Sequence, residues 1–138
     1  MDSIGIKGEW FFEYGDGTAI GPLDNFMTGA GLAKVAQWIE EAAGAYLVVG
    51  DDTAPGETIT EVFRKAVSSV TRTAALVRFR TQLLAGECNG DHEKVCIYIG
   101  GSATPGTGTM LNLLKQPWSK AGNTALTVEC RITVAEVA

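Results

Sequence analysis

Alternation of apolar and polar residues is the clearest pattern in the chain, and it is strongest near the C-terminal end. From Leu126 to Val134 every second residue is apolar. A period of two predicts a strand, here over 124–134, with one face on a core and the other toward water or a neighbour. Shorter apolar runs bounded by turn-forming residues predict further strands at 6–14, 45–49, 66–73, 75–84, 94–99 and 109–114.

One segment has a helical period instead. Between 28 and 43 the apolar residues recur at spacings of three and four, and most polar residues lie elsewhere around the helix. Thr28 or Asn25 could provide the N-cap oxygen, and Gly44 is suited to end the helix in the left-handed conformation. The pattern therefore predicts one amphipathic helix with a single buried stripe.

These elements define a fold class of α+β, mainly β, in a single domain spanning residues 1–138. Short turns join the strands, which favours antiparallel pairing because a parallel pair needs a long crossover. We expect an antiparallel β-sandwich or rolled sheet of about seven strands, with the helix packed on it. Residues 58–63 fit either a helical turn or an extended arm, and Pro117 is expected to interrupt the strand that begins at 109.

Composition narrows the possible partners. The net charge is −5, and the one local group of arginines (Arg72, Arg78 and Arg80) falls on predicted strands. Nucleic-acid binding is therefore disfavoured, because phosphate backbones are held by clustered lysine and arginine. No apolar run approaches the roughly 20 residues that span a bilayer, so membrane insertion is not expected. The first ten residues lack the pattern of a signal peptide, which suggests residence in the cytoplasm or export within an assembly.

Three cysteines, Cys88, Cys96 and Cys130, are an odd number that fits reduced thiols. A disulfide stays open, since no spacing demands one. Cys96 and Cys130 lie in strand-like apolar runs, where a cysteine packs as a small apolar residue.

His92 is the one histidine, and it lies in a loop rich in glycine, asparagine and aspartate. Catalysis would need a nucleophile and an orienting acid beside it, and a metal site would need several ligands. Asp91, Glu93 and Cys88 are near in sequence, but their spacing does not match zinc signatures. We interpret 86–93 as a hairpin loop and His92 as part of its solvated tip.

Two further loops have some of the features of a phosphate-binding loop and of a cation site, but lack others. Residues 101–108 have a glycine spacing that partly matches a phosphate-binding loop, but the lysine is missing and a strand follows. We expect a mobile surface loop there. Asp51, Asp52, Glu57 and Glu61 could attract a hard cation, yet they lack the ligand alternation of calcium loops. A solvated acidic loop is the favoured interpretation, and whether Asp51 to Glu57 bind a cation stays open. No catalytic residue, cofactor or metal site is predicted.

Aromatic side chains offer contact surface instead. Because side chains alternate along a strand, Trp10 and Phe12 should share one side while Phe11 takes the other. One side is expected to lie on the core, and the other to be covered by the helix, a loop or another subunit. Together with Trp38 and Trp118, Trp10 and Phe12 are the candidate interface residues.

Several short segments also follow one another in a definite order. They are Asn25-Phe26-Met27-Thr28 with Gly31-Leu32, Tyr46-Leu47-Val48-Val49-Gly50 with a Thr/Pro loop after it, Glu61-Val62-Phe63-Arg64, Lys94-Val95-Cys96-Ile97-Tyr98-Ile99-Gly100, Gly106-Thr107-Gly108-Thr109-Met110-Leu111, Lys120 and the strand at 126–134. In this order, over residues 20–134, the chain resembles bacteriophage tail proteins of the tail-fibre or tail-collar kind. The glutamate and glycine usual in that family's counterpart of 94–100 are absent here.

The resemblance implies a non-enzymatic phage or prophage virion structural protein from a tail, tail fibre or baseplate. Such a protein would assemble in the host bacterial cytoplasm and reside in the virion tail. It implies a homo-oligomer, with a trimer as one candidate, that contacts other tail or virion proteins. It transfers no catalytic residues. The alternative is a small ligand- or glycan-binding β-module that uses exposed tryptophan and the acidic loop, and an enzyme ranks third.

Overall fold

The computed structural model describes residues 2–137, with the side chain of Asp2 left out; Met1 and Ala138, the ends of the predicted domain, lie outside the described residues. Within that range the chain forms ten strands and one helix, which confirms the predicted α+β, mainly β class. The elements are β1 (Asp2–Ile6), β2 (Glu9–Glu13), β3 (Ala19–Asp24), α1 (Gly29–Glu40), β4 (Tyr46–Gly50), β5 (Glu61–Ala66), β6 (Ser69–Thr73), β7 (Leu76–Leu83), β8 (Gly90–Ile99), β9 (Thr109–Lys120) and β10 (Leu126–Glu136).

The strands form two four-stranded sheets and a separate hairpin. The first sheet has the order β1-β10-β7-β6, the second has β5-β4-β8-β9, and the hairpin consists of β2 and β3 alone. All neighbours are antiparallel except β1 and β10, which run parallel with Ile4 opposite Val134. That pair departs from the expected antiparallel pattern because the whole intervening chain serves as its crossover.

One apolar core joins both sheets and the helix. It contains Ala36 of α1, Leu47 and Val49 of β4, Phe79 of β7 and Ile132 of β10, each nearly or fully buried. In β7 and β10 alternate residues point into this core, as the period of two predicted. The two sheets therefore face each other through one shared interior.

The helix begins as its sequence predicts. Thr28 Oγ1 accepts a hydrogen bond of 3.0 Å from the Gly31 N–H, which satisfies one of the free donors of the first turn. The helix ends at Glu40 rather than at 43, and Gly44 follows with a φ of +71°. Ala36 faces the core, while Trp38 stays exposed. The predicted single stripe thus packs on the first sheet and leaves an outer face.

Four further predictions were wrong. The strand expected over 6–14 corresponds to β2 and to the last residue of β1, and residues 7–8 lie outside both strands; a Cβ at Gly8 would collide with the Asn25 side chain. The segment expected over 66–73 is likewise divided between β5 and β6. Pro117 does not interrupt β9, which lies at a sheet edge, where a proline without an N–H removes no ladder bond. Finally, β8 already begins at Gly90, inside the expected loop.

Candidate functional site

The hairpin of β2 and β3 is the most unusual surface of the molecule. Its strands pair only with each other, and every residue in both is exposed. The expectation that one side of this segment lies on the core was therefore wrong. The chain reverses direction at Gly15-Asp16-Gly17, so β2 pairs with β3 and not with a strand of either four-stranded sheet.

Register brings the large side chains of the hairpin into one apolar face. Trp10 lies opposite Leu23 and Phe12 opposite Ile20, with an irregularity between the two pairs. Directly opposed residues share a face, so these four side chains adjoin one another. Phe11 lies on the same strand with 63% of its surface exposed. The predicted common side for Trp10 and Phe12 agrees with this register.

The exposed apolar area of the hairpin is large for a water-facing element. Its large apolar residues, with the adjacent Phe26, are between 45% and 90% exposed: Trp10, Phe11, Phe12, Tyr14, Ile20, Leu23 and Phe26. Since such side chains present about 150–250 Å² each when fully accessible, they leave roughly 700 Å² of apolar surface. This area is divided between the two sides of the hairpin, since Phe11 alternates with Trp10 and Phe12 along β2. For comparison, each partner contributes about 800 Å² to a standard protein interface. An isolated two-stranded hairpin is also marginally stable in water, so this element gains from a partner.

His92 differs most from its sequence-based interpretation. It lies in β8, is only 6% exposed, and is not part of a solvated tip. Its Nδ1 is 2.7 Å from Asp51 Oδ1, and its Nε2 is 2.9 Å from the Cys88 carbonyl oxygen. The Trp118 ring covers it with a centroid distance of 4.8 Å. Both ring nitrogens thus face acceptors, and the ring fastens the 84–89 turn to the end of β4.

The same geometry places a thiol beside the imidazole. Cys88 Sγ is 3.4 Å from His92 Nε2, so the thiol, the imidazole and the Asp51 carboxylate form a spatial row in which each group contacts the next. Burial raises the pKa of the Cys88 thiol to about 11, and the nearby charge of Asp51 adds to this. The thiolate is the nucleophilic form, so a raised pKa lowers the fraction of reactive thiolate at neutral pH. Together the three groups hold the 84–89 turn against Asp51 at the end of β4.

Carboxylates of the acidic loop are largely paired. Lys94 is 1% exposed, and its ammonium donates to Asp52 Oδ2 at 2.8 Å and to the carbonyl oxygens of Ala54 and Thr58 at 3.0 and 2.8 Å. The hydrogen bond from Lys94, aided by the Thr60 N–H, lowers the pKa of Asp52 to about 2. The expected solvated loop is thus wrong for Asp52, because a buried cation from β8 fixes it against the second sheet.

Glu61 is also paired, with Arg64 of the same strand at 2.7 Å. Burial alone would raise the pKa of Glu61, but bonds from Arg64 and the Gly106 N–H lower it below its ordinary value. Arg64 Nη1 also donates to the Ser102 and Thr107 carbonyl oxygens, both at 2.9 Å. The glycine-rich loop at 101–108, expected to be a mobile surface loop, therefore has a fixed anchor on the second sheet.

A cavity of about 230 Å³ opens between the sheets, and apolar residues form most of its lining, together with Asn112, Glu129 and Arg131. Its Asn112 amide donates to Cys130 Sγ at 3.1 Å. No group of three or more metal-ligating side chains in range of a common ion occurs within residues 2–137. No helix in the same range has the length and apolar character needed to cross a bilayer.

The four predicted interface residues divide into two groups. Trp10, Phe12 and Trp38 are exposed at 59%, 46% and 61%, whereas Trp118 packs partly buried against the core and His92. The contributions of β3 to the apolar face, Ile20 and Leu23, were not predicted from the sequence. The Gly15-Asp16-Gly17 turn between two short apolar runs was a signal for a hairpin that could have identified them.

Comparison with known proteins adds no relative. No family model, curated protein or solved structure matches this chain.

Proposed function

We propose that this protein is a bacteriophage or prophage virion structural protein, from a tail, tail fibre or baseplate, that acts by self-assembly. The observation that carries the proposal is the β2–β3 hairpin, an aromatic element whose strands, within residues 2–137, pair only with each other. Contiguous exposed apolar patches of several hundred Å² mark sites of protein association. The ordered sequence motifs that resemble tail proteins supply the biological setting.

The rest of the molecule supports a role in association. The buried His92, Lys94 and Arg64 each bind loops of the same chain, and the Cys88 thiol has a raised pKa. These contacts hold loops of the body in place. A body with one exposed apolar hairpin suits a subunit that adds to a closed symmetric assembly.

The first experiment measures the mass of the full chain in solution. Size-exclusion chromatography with light scattering, run over a hundredfold range of concentration, should show one homo-oligomer. The hairpin variant, Trp10→Ser with Phe12→Ser, should be monomeric and folded, because both side chains are exposed and neither supports the core. A matched control, Trp38→Ser, removes an exposed tryptophan from α1 and should keep the oligomer. A wild-type monomer at every concentration would refute self-assembly.

The second experiment tests the setting. Particles released by prophage induction from a host that carries the gene should contain the protein, as mass spectrometry of purified virions would show. Its absence from purified particles would refute the virion assignment. A glycan screen in which the monomer binds sugars through Trp10 or Trp38 would favour the binding-module alternative instead.

A further inference from the structure

The outer face of the first sheet carries an arginine cluster. In β7 and β10 the side chains that alternate with the core residues point away from the second sheet, and Arg78, Arg80 and Arg131 are among them. Arg78 lies directly opposite Arg131, and Arg80 opposite Glu129. Glu129 is the one carboxylate in this group, so the group has a net charge of +2. We call it the arginine face.

Within this face the positive charge is only partly balanced. Glu129 binds both Arg80, at 3.6 Å, and Arg131, at 2.5 Å, while Arg78 donates to the Thr73 hydroxyl at 3.1 Å. The side chains of Arg80 and Arg131 are 54% and 50% exposed. Two like charges directly opposite each other on neighbouring strands repel, so an acidic partner would reduce the repulsion between Arg78 and Arg131.

The hairpin has the complementary character. Residues 9–24 contain Glu9, Glu13, Asp16 and Asp24 and no lysine or arginine, a charge of −4 in a chain whose total is −5. The adjacent Lys7 forms an ion pair with Glu9 at 3.3 Å, whereas the other three carboxylates form no ion pair with any side chain that the structure describes. The aromatic rings of the hairpin match the guanidinium groups as well, because arginine stacks on tryptophan, tyrosine and phenylalanine. Charge and chemistry of the arm therefore fit the arginine face.

We infer that the hairpin of one copy docks on the arginine face of the next copy. This inference rests on the proposed function and specifies its interface. The arm and the face are different surfaces of one chain, so the contact is heterologous, head to tail. Such contacts generate a ring when the rotation closes, and each subunit then gives one arm and receives one. A trimer or a larger ring satisfies every arm and every face.

The test uses two variants of the full chain that disable opposite halves of the contact. Trp10→Ser/Phe12→Ser disables the arm, and Arg78→Glu/Arg131→Glu disables the face. Each alone should be monomeric, with the dissociation constant raised about tenfold or more. Mixed in equal amounts they should form a 1:1 dimer, because one variant still has its face and the other still has its arm.

Controls separate charge from folding. Lys34→Glu/Lys115→Glu makes the same change in net charge at exposed positions elsewhere and should leave the oligomer intact. The milder Arg78→Gln/Arg131→Gln variant should weaken assembly by an intermediate amount, and added salt should weaken the wild type. Circular dichroism confirms that each variant keeps its strands.

The outcomes distinguish the inference from the proposed function. Wild-type assembly by both arginine variants would overturn docking on the arginine face but leave self-assembly standing. Wild-type assembly by the arm variant would overturn the proposed role of the hairpin. If the arm and face variants stay monomeric after mixing, head-to-tail docking is excluded. Binding of a short fluorescent DNA duplex through Arg78 and Arg131 by a monomeric wild type would also overturn it.

Discussion

Replacing Lys94 with methionine tests how the acidic loop is held. Methionine keeps the length of the side chain but removes an ammonium that is 1% exposed and makes three hydrogen bonds. Breaking a buried ion pair by removing one partner costs about 3–5 kcal/mol. Asp52 keeps bonds from the Ala54 and Thr60 N–H groups, and its side chain is 19% exposed. We therefore expect a loss at the lower end, about 3 kcal/mol.

The assay is urea unfolding followed by circular dichroism, with the midpoint and slope fitted separately. A loss of this size should also lower Tm by about 10 °C in a domain of this length. Lys115→Met is the matched control, since Lys115 lies opposite Lys94 in the register but is exposed, and it should change stability by less than about 0.5 kcal/mol. A loss below about 1 kcal/mol for Lys94→Met would show that its ammonium remains hydrated, and would refute the argument.

Three further predictions follow from the same contacts. Asp52 has a folded pKa of about 2 against an ordinary 3.8, so its stabilising effect is complete above pH 3.8 and is lost as the pH falls toward 2. In unfolding curves measured at a series of acidic pH values, the difference in stability between wild type and Asp52→Asn should shrink over that window. A constant difference would contradict the pairing of Asp52 with Lys94. Cys88, with a pKa of about 11, should react with iodoacetamide at pH 8 about a hundredfold more slowly than free cysteine, as measured by peptide mass spectrometry. Fast labelling would show that Cys88 is a reactive thiol. Thr28→Ala should cost about 1 kcal/mol in urea unfolding, while Thr28→Ser keeps the cap and the stability; equal losses in both would argue against capping.

Local patterns in the sequence predicted those parts of the fold whose cause is local. The alternation from Leu126 to Val134 predicted β10 because the period of a strand is a property of the strand alone. Thr28 was one of two predicted N-cap residues, with Asn25 as the alternative, and its bond reaches only to Gly31. The class of fold followed from the sum of such segments.

The features that were not predicted from the sequence depend on contacts between residues far apart in the chain. His92 was assigned to solvent because its neighbours in sequence are polar, yet its burial depends on Asp51, 41 residues away. Lys94 and Asp52 are separated by 42 residues, so their pairing left no local signal. The isolation of the hairpin was not predicted either, because aromatic strands usually lie on a core. It follows from the strand order, in which β2 and β3 pair with each other and join neither four-stranded sheet.

The parallel pairing of β1 with β10 also governs the order in which the protein can be built during translation. Of the ten strands within residues 2–137, β1 is synthesised first, but its neighbour in the first sheet is β10, which is synthesised after the other nine. β7 likewise lacks one of its two neighbours until β10 emerges. The β2–β3 hairpin needs only adjacent residues and forms early, because local contacts form faster than distant ones. The nascent chain therefore has its exposed apolar hairpin well before the first sheet has all four of its strands.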